Sequence, residues 1–524
     1  MQQITTAILL LIISGGTWFT SRYFYDEIND GKFYFVLVTS LLLFISCSLF
    51  PKGFLSLRQG ISSQWFIMGV SFIGLALSLH GILQYAIIIP SHTIFPITGA
   101  FENPAGYTAA QTTFLPFSLY LCLHKDVPWL KRILAIVSSL LINLSIVLSG
   151  SRCGMLAVCV AITIVLALAT RMTAYLKRHR IILLVMLPVF IAGVFLLYKM
   201  KPASADGRLL IWRVCWNMIA ERPITGFGGD GFHANYMDYQ AAYLATHPDS
   251  PYRMLADNIT HPFNEYILLT VRFGIIGLTI ALVVLVFLIK SLRKQDGPYH
   301  SVGIAMIGAI VVMCMFSYPY HYAVIWFMTF ILVIGAIPEK CLMIRKIVRY
   351  VIVCILFVSF LGTGCMLYHN MKWAEMSRRC IAGQTERMLP HYKKMMPWMD
   401  WNPLFLYNYA AELNYVERYK ESLALTKVCM KSYNDYDVQI LLGDNFEHLG
   451  QAREALITYR HASDMIPNRF IPLKAMMDLY LQSGDTNTAR LIANEILSKP
   501  VKVPSPQVEE IKRKAKEAKE NVKI

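Results

Sequence analysis

Charge is scarce in this sequence of 524 residues: 16% are charged against 56% hydrophobic, and the mean hydropathy is +0.46. An ordinary soluble domain is excluded, because so little polar surface leaves most of the chain to meet lipid. Cys-x-x-Cys pairs are absent. Cys47, Cys122, Cys159, Cys314, Cys354 and Cys365 stand inside apolar runs, which argues against both a zinc site and a disulfide framework. Gln2 to Thr20 lacks a basic leader and a small-x-small cleavage site, so it reads as a retained first span rather than a cleaved signal. The formal charge of +16 lacks the clustering that nucleic acid requires. Its Lys and Arg fall between apolar runs of about 20 residues, so no nucleic-acid partner is expected.

What is present is a series of runs long enough to cross a bilayer, near 4–20, 33–50, 64–89, 106–123, 132–149, 153–170, 181–198, 264–289, 302–318, 322–337 and 348–366. The expected architecture is an all-α, polytopic transmembrane bundle of about eleven spans. Every second loop is basic: Lys125, Lys131 and Arg132; Arg171, Lys177, Arg178 and Arg180; Lys290, Arg293 and Lys294; Lys340, Arg345, Lys346 and Arg349. Basic loops stay on the cytoplasmic side of an inner membrane. The N-terminus is therefore expected inside, with 90–105, 150–152, 317–321 and the long loop 199–263 outside. An odd number of spans sends the C-terminal region to the periplasm as well.

Two domains are expected, a membrane domain over 1–369 and a soluble helical one over 370–524. The second carries a repeat at about 33 to 34 residues. Glu421-Ser422-Leu423, Glu454-Ala455-Leu456 and Thr488-Ala489-Arg490 occupy equivalent places, as do Gly450 and Gly484, and Pro467 and Pro500. The spacing resembles tetratricopeptide repeats, helix pairs that bury apolar faces only against neighbours. An unrelated helical bundle is the alternative, and Lys-rich 509–524 reads as a solvated helix.

A loop as long as 199–263 is generally functional or disordered. This one carries Trp212, Trp216, Phe227, Phe232, Tyr236, Tyr239 and Tyr243, enough aromatic surface to pack or to receive a sugar. Its Gly226, Gly228 and Gly231 spell G-x-G-x-x-G, but a dinucleotide site needs a preceding strand, and Trp212–Arg222 reads as helix. A tight turn presenting Asp230 and His233 is expected instead. The outer loops lack carboxylate pairs and Asp-x-Asp elements, so nothing supports a metal, and no cofactor is expected.

Four stretches share the expected outer side: FENPAGYTA at 101–109, LSGSR at 148–152, GRLLIWRVCW at 207–216 with PITGFGGDGF at 223–232, and HPFNEYILLTVRFGIIGL at 261–278. In order and sidedness they resemble the O-antigen ligase and polymerase family of integral membrane proteins over about residues 95 to 335. Members often have Asn-Pro-Asn where this chain has Asn103-Pro104-Ala105, and an acidic residue where Arg272 stands. The resemblance implies transfer of a preassembled glycan from undecaprenyl diphosphate to an acceptor outside the inner membrane. The acceptor would be lipid A-core, a growing glycan or a protein hydroxyl. Implied partners are that lipid-linked donor, the acceptor and membrane lipids; the repeats, outside the shared core, suit a protein partner of their own. A polysaccharide transporter or flippase is one alternative, though neither internal span repeats nor mid-membrane charges stand out. A non-enzymatic assembly scaffold is another.

Such chemistry needs cations for the departing diphosphate and a base for the acceptor hydroxyl. Arginine binds phosphate bidentately, and Arg152 opens a span where charge is unfavourable unless used; a snorkelling boundary residue is its plainer reading. Arg208 is preferred for phosphate. Arg213, five residues on, lies off its stripe and reads equally as a surface residue. His261 is the expected base or orienting group, because imidazole titrates near working pH. Asn264 and Glu265, one turn away, suit sugar hydroxyls or capping. Glu102 and Asn103 suit acceptor contacts or a turn fixed by Pro104.

Overall fold

The computed structural model describes residues 2–124, 126–169, 193, 198–295 and 297–521. Nearly all of the expected span 181–198, and the basic residues Lys125, Arg171, Lys177, Arg178 and Arg180, lie outside the described residues. Among those described the fold is all-helical, without a strand. Two compact units emerge: 1–197 with 263–265 and 280–375, and 198–262 with 266–279 and 376–524. The long loop is therefore grouped with the C-terminal helices.

The first unit opens with α1 (Gln2–Trp18), α2 (Asn29–Leu49), α3 (Gly53–Ile61), α4 (Gln64–Tyr85), α5 (Pro104–Leu123), α6 (Trp129–Leu148) and α7 (Arg152–Ala169). α5 is its hub, packed on α4, α6 and α7, and every residue from Gly106 to Ser118 is buried. Its polar residues find partners locally. Gln111 Nε2 donates to Ser78 Oγ at 2.9 Å, and Ser118 Oγ lies 2.7 Å from Ser71 Oγ and 3.0 Å from Ser138 Oγ. Hydroxyls and amides joining closely packed helices are what an apolar surrounding permits, since a polar atom left facing hydrocarbon is unsatisfied.

After α8 (Pro202–Glu221) and α9 (Gly231–Thr246) come α10 (Glu265–Leu292), α11 (Pro298–Phe316), α12 (Ala323–Ala336) and α13 (Lys346–Arg379). Five described helical runs are long and apolar enough to cross a membrane: α2, α4, α6, α10 and the run Lys346–Met399; α7, α11 and α12 hold shorter apolar stretches. α10 departs from the expected uninterrupted span. Gly274 breaks it with φ 62° and ψ −164°.

The helices following α13 are α14 (Thr385–Met399), α15 (Pro403–Tyr415), α16 (Tyr419–Cys429), α17 (Tyr436–His448), α18 (Ala452–Met465), α19 (Ile471–Gln482), α20 (Thr486–Ser498) and α21 (Pro506–Asn521). Each packs chiefly on its sequence neighbours. The small residue of each sequence repeat, Ser422, Ala455 or Ala489, is fully buried. The turns joining α15 to α16, α17 to α18 and α19 to α20 each carry a left-handed residue: Glu417 (φ 61°), Gly450 (φ 74°) and Gly484 (φ 79°). Glycine suits that conformation because it has no Cβ to clash with the preceding turn. A core of Leu442, Phe446, Tyr459, Leu473, Met476, Ile492 and Ile511 runs through these helices.

Candidate functional site

In the first unit, the Glu102-Asn103-Pro104 motif builds the start of α5. Asn103 has extended backbone (φ −154°), and its Oδ1 accepts from the amides of Ala105 at 2.8 Å and Gly106 at 3.1 Å. Pro104 follows where no donor is needed, the ordinary opening of a helix. The same side chain is a junction: its Nδ2 donates to Tyr318 OH at 2.9 Å and Glu102 Oε1 at 3.0 Å, and Tyr322 OH donates to its Oδ1 at 3.1 Å. Glu102 Oε2 accepts from Asn29 Nδ2 at 2.5 Å, and His321 Nε2 stands 3.7 Å from Glu102 Oε1.

Two further candidates meet this 318–322 stretch. The Tyr320 amide donates to Glu265 Oε1 at 3.2 Å, Asn264 Nδ2 donates to the Met315 carbonyl at 3.0 Å, and the Phe263 ring lies 5.3 Å from that of Tyr318. Arg152 opens α7 between two anchors. Ser151 Oγ is 3.0 Å from Thr108 Oγ1 on α5, and Cys153 Sγ is 3.3 Å from Met313 Sδ on α11. Glu102, Asn103, Arg152, Asn264 and Glu265 therefore belong to one end of this unit. A carboxylate, amides, an imidazole and phenols there offer the mixture of donors and acceptors that sugar hydroxyls require. Burial pushes the Tyr320 phenol up to about 12, which keeps it a neutral donor.

In the second unit, α8 carries both arginines on different faces. Trp212, one turn after Arg208, donates Nε1 to the Pro262 carbonyl at 2.9 Å, so the Arg208 face of α8 is the one tied beside His261. Arg213 is exposed, with its guanidinium 5.9 Å from the centre of the Tyr243 ring. Asp230 is exposed at the start of α9. His233, one turn along, faces His261 with ring centroids 6.2 Å apart and nearly perpendicular planes.

The Gly-rich loop has a specific place. In an unbroken α10 the amides of Ile275 and Ile276 would donate to the carbonyls of Val271 and Arg272. Instead they donate to Pro223 at 2.8 Å and Ile224 at 3.4 Å, while Val271 and Arg272 accept from Phe227 at 2.9 Å and Gly228 at 2.8 Å. The loop 223–228 has inserted itself into the helix ladder, one recognised cause of a broken helix. Contact is so close that a Cβ on Gly226 would lie 2.5 Å from the Arg272 carbonyl carbon, and one on Gly274 2.0 Å from the Ile224 oxygen. Gly226 and Gly228 have φ of 67° and 90°. They belong to this insertion turn, and α8, a helix, stands where a dinucleotide fold would have a strand.

Residues 136–282 match the family model described as O-Antigen ligase. The matched stretch runs from within α6 to within α10 and takes in Arg152, both α8 arginines, Asp230, His233, His261, Asn264 and Glu265; Glu102 and Asn103 precede it. No curated protein matches the chain. Together with the long apolar helices, this O-antigen ligase likeness points to a membrane protein that ligates or polymerises glycans.

Sequence reasoning passed over several residues now seen beside the candidates: Tyr318, His321 and Tyr322 around Asn103, and Tyr433 and Asn434 around His233. The first three lie in SYPYHY, a loop without Lys or Arg already expected on the outer side, so a signal was there. The last two lie more than 170 positions from His261, where no local pattern reports proximity.

Proposed function

We propose that the chain is a glycan transferase of the O-antigen ligase type. It moves a preassembled glycan from undecaprenyl diphosphate to an acceptor on the periplasmic face of the inner membrane. The observation carrying this reading is the family match over 136–282, which encloses the arginines and histidines that such chemistry requires. In the reaction the acceptor oxygen bonds to the anomeric carbon, the bond from that carbon to the diphosphate oxygen breaks, and the acceptor proton passes to His261. Arg208, in the same unit as His261, holds the diphosphate as its negative charge grows, the role a preorganised cation performs best where water is scarce; Arg152, in the first unit, is the further candidate for contacting the lipid-linked donor. Arg213, Asp230 and His233, with Glu102, Asn103, Asn264 and Glu265, contact the sugars and the acceptor.

About eleven spans, with the N-terminus cytoplasmic, a membrane domain over 1–369 and a periplasmic domain over 370–524, complete this reading. The helix pairs with left-handed turns at Glu417, Gly450 and Gly484 support a tetratricopeptide-like character, suited to gripping a protein partner or acceptor. The test is transfer from purified lipid-linked glycan to lipid A-core, glycan and protein acceptors by the full chain and by Arg152→Ala, Arg208→Ala and His261→Ala. Each variant is expected to lose about 100-fold or more. Undiminished transfer in all three would remove the mechanism, and a reporter fused after residue 370 that reads cytoplasmic would remove the orientation.

A further inference from the structure

The long loop and the C-terminal helices fall in one unit, and the turn between α16 and α17 is fastened to both arms of the loop that carry histidine. From α9, His233 presents its carbonyl to the Asn434 amide at 3.0 Å. One further turn along α9, Asp238 accepts Asn434 Nδ2 at 3.0 Å on each carboxylate oxygen. On the other arm, Asn258 donates Nδ2 to Asp435 Oδ2 at 2.8 Å, three residues before His261. Tyr433 brings its ring 6.1 Å from that of His233 and donates its hydroxyl to the same Asp435 oxygen at 2.9 Å.

The turn is itself held firmly. Asn434 is 4% exposed, its Oδ1 accepts Gln439 Nε2 at 2.7 Å, and Asp435 caps α17 through the Val438 amide at 2.9 Å. His461 Nε2 lies 2.7 Å from Asp238 Oδ1, joining α18 to the same carboxylate. Burial, then the Asp435 carboxylate, drives the Tyr433 phenol well above its ordinary range, so it serves as a fixed donor rather than a base.

We infer that Asn434 is a positioning residue for the transfer reaction. It fixes α9 so that His233 faces His261, and thereby makes the repeat region part of the active structure. The inference rests on the reading in which His261 takes the acceptor proton. A general base must stand within hydrogen-bond reach of its hydroxyl, and a displacement of about 1 Å is enough to slow such a step by about 100-fold. A buried amide bridging two segments suits that duty, because its planar geometry leaves little freedom once both partners are bound.

The same unit supplies a matched control. Asn468, 7% exposed, ties the repeat region to the loop elsewhere, donating to the Ala256 carbonyl at 2.7 Å. Full-length Asn434→Ala, Asn468→Ala and His261→Ala are compared in membranes of a deletion strain, with the native lipid-linked glycan as donor. In parallel, the purified chains are treated with diethyl pyrocarbonate, and modification of His233 and His261 is followed by mass spectrometry. Asn434→Ala is expected to lose about tenfold or more of transfer and to change the His233 and His261 modification rates severalfold, while Asn468→Ala stays within about threefold of wild type. Equal losses in the two asparagine variants, or unchanged histidine modification in Asn434→Ala, overturn the inference. Should Asn434→Ala fail to fold, Asn434→Ser takes its place under the same criteria. Wild-type transfer by His261→Ala sinks the underlying mechanism instead, whereas a dead His261→Ala beside equal asparagine variants sinks only the role of Asn434.

Discussion

The two units differ in where their buried polar groups find partners. Around α5 most buried polar side chains are hydroxyls, and with Gln111 they meet neighbours across closely packed helices, as Ser118 meets Ser71 and Ser138. In the second unit buried amides also reach carbonyls remote in sequence: Gln240, fully buried on α9, donates to the carbonyls of Met465 at 2.8 Å and Asp257 at 3.1 Å. The difference teaches where each region obtains its order. Helices in an apolar surrounding satisfy their own backbones and need only small contacts to assemble, whereas a loop has backbone groups that something else must bond.

The largest expected effect tests the most extreme case of that dependence, the loop inserted into α10. Gly274→Ala puts a Cβ against the Ile224 carbonyl at a left-handed position, and is expected to lower stability by about 3 kcal/mol or more. The check is the thermal midpoint of the purified chain; a midpoint within the error of wild type would mean that the insertion is not what orders this loop.

A pair of glutamines sharpens the comparison directly. Gln240→Ala leaves two carbonyls and the Tyr236 hydroxyl without their partner, and about 2 kcal/mol is expected. Gln111→Ala on α5 is expected to lower stability by only about 1 kcal/mol, since interhelical hydrogen bonds in membranes are weak against a reference state that finds other partners. Denaturation of both variants in the same detergent decides the order; a larger loss for Gln111 reverses the contrast drawn here.

The smallest effect is a gain. Glu417 occupies the left-handed turn that its two counterparts give to glycine, so Glu417→Gly is expected to stabilise the hairpin by about 0.5 to 1 kcal/mol. Denaturant midpoints measure it, and a loss of stability would show that the Glu417 side chain contributes more than its backbone strain removes.

Much of this was legible from residue types and spacing. Apolar runs announced the helices, and Asn103-Pro104 announced a turn, which in the structure is the cap of α5. The small residues at Ser422, Ala455 and Ala489 announced buried contacts between helices. Arg208 and Arg213 fell on different faces of α8, as a separation of five residues dictates. The break in α10 was not legible, because VRFGIIGL reads as uninterrupted hydrophobic helix until a loop some 50 residues earlier supplies the replacement bonds.

The sequence alone determined the helical class, the positions of most helices, and which arginines, histidines and amides are candidates for the proposed glycan-transfer site. These follow from local physics, namely hydropathy, capping and the period of the helix. Tertiary structure decided that Tyr318 and Tyr322 close on Asn103, that the Gly-rich loop replaces a turn of bonds in α10, and that Asn434 reaches His233. Such contacts join residues dozens to hundreds of positions apart, where the pairing is selected by complementary shape and by unsatisfied donors and acceptors rather than by any pattern along the chain.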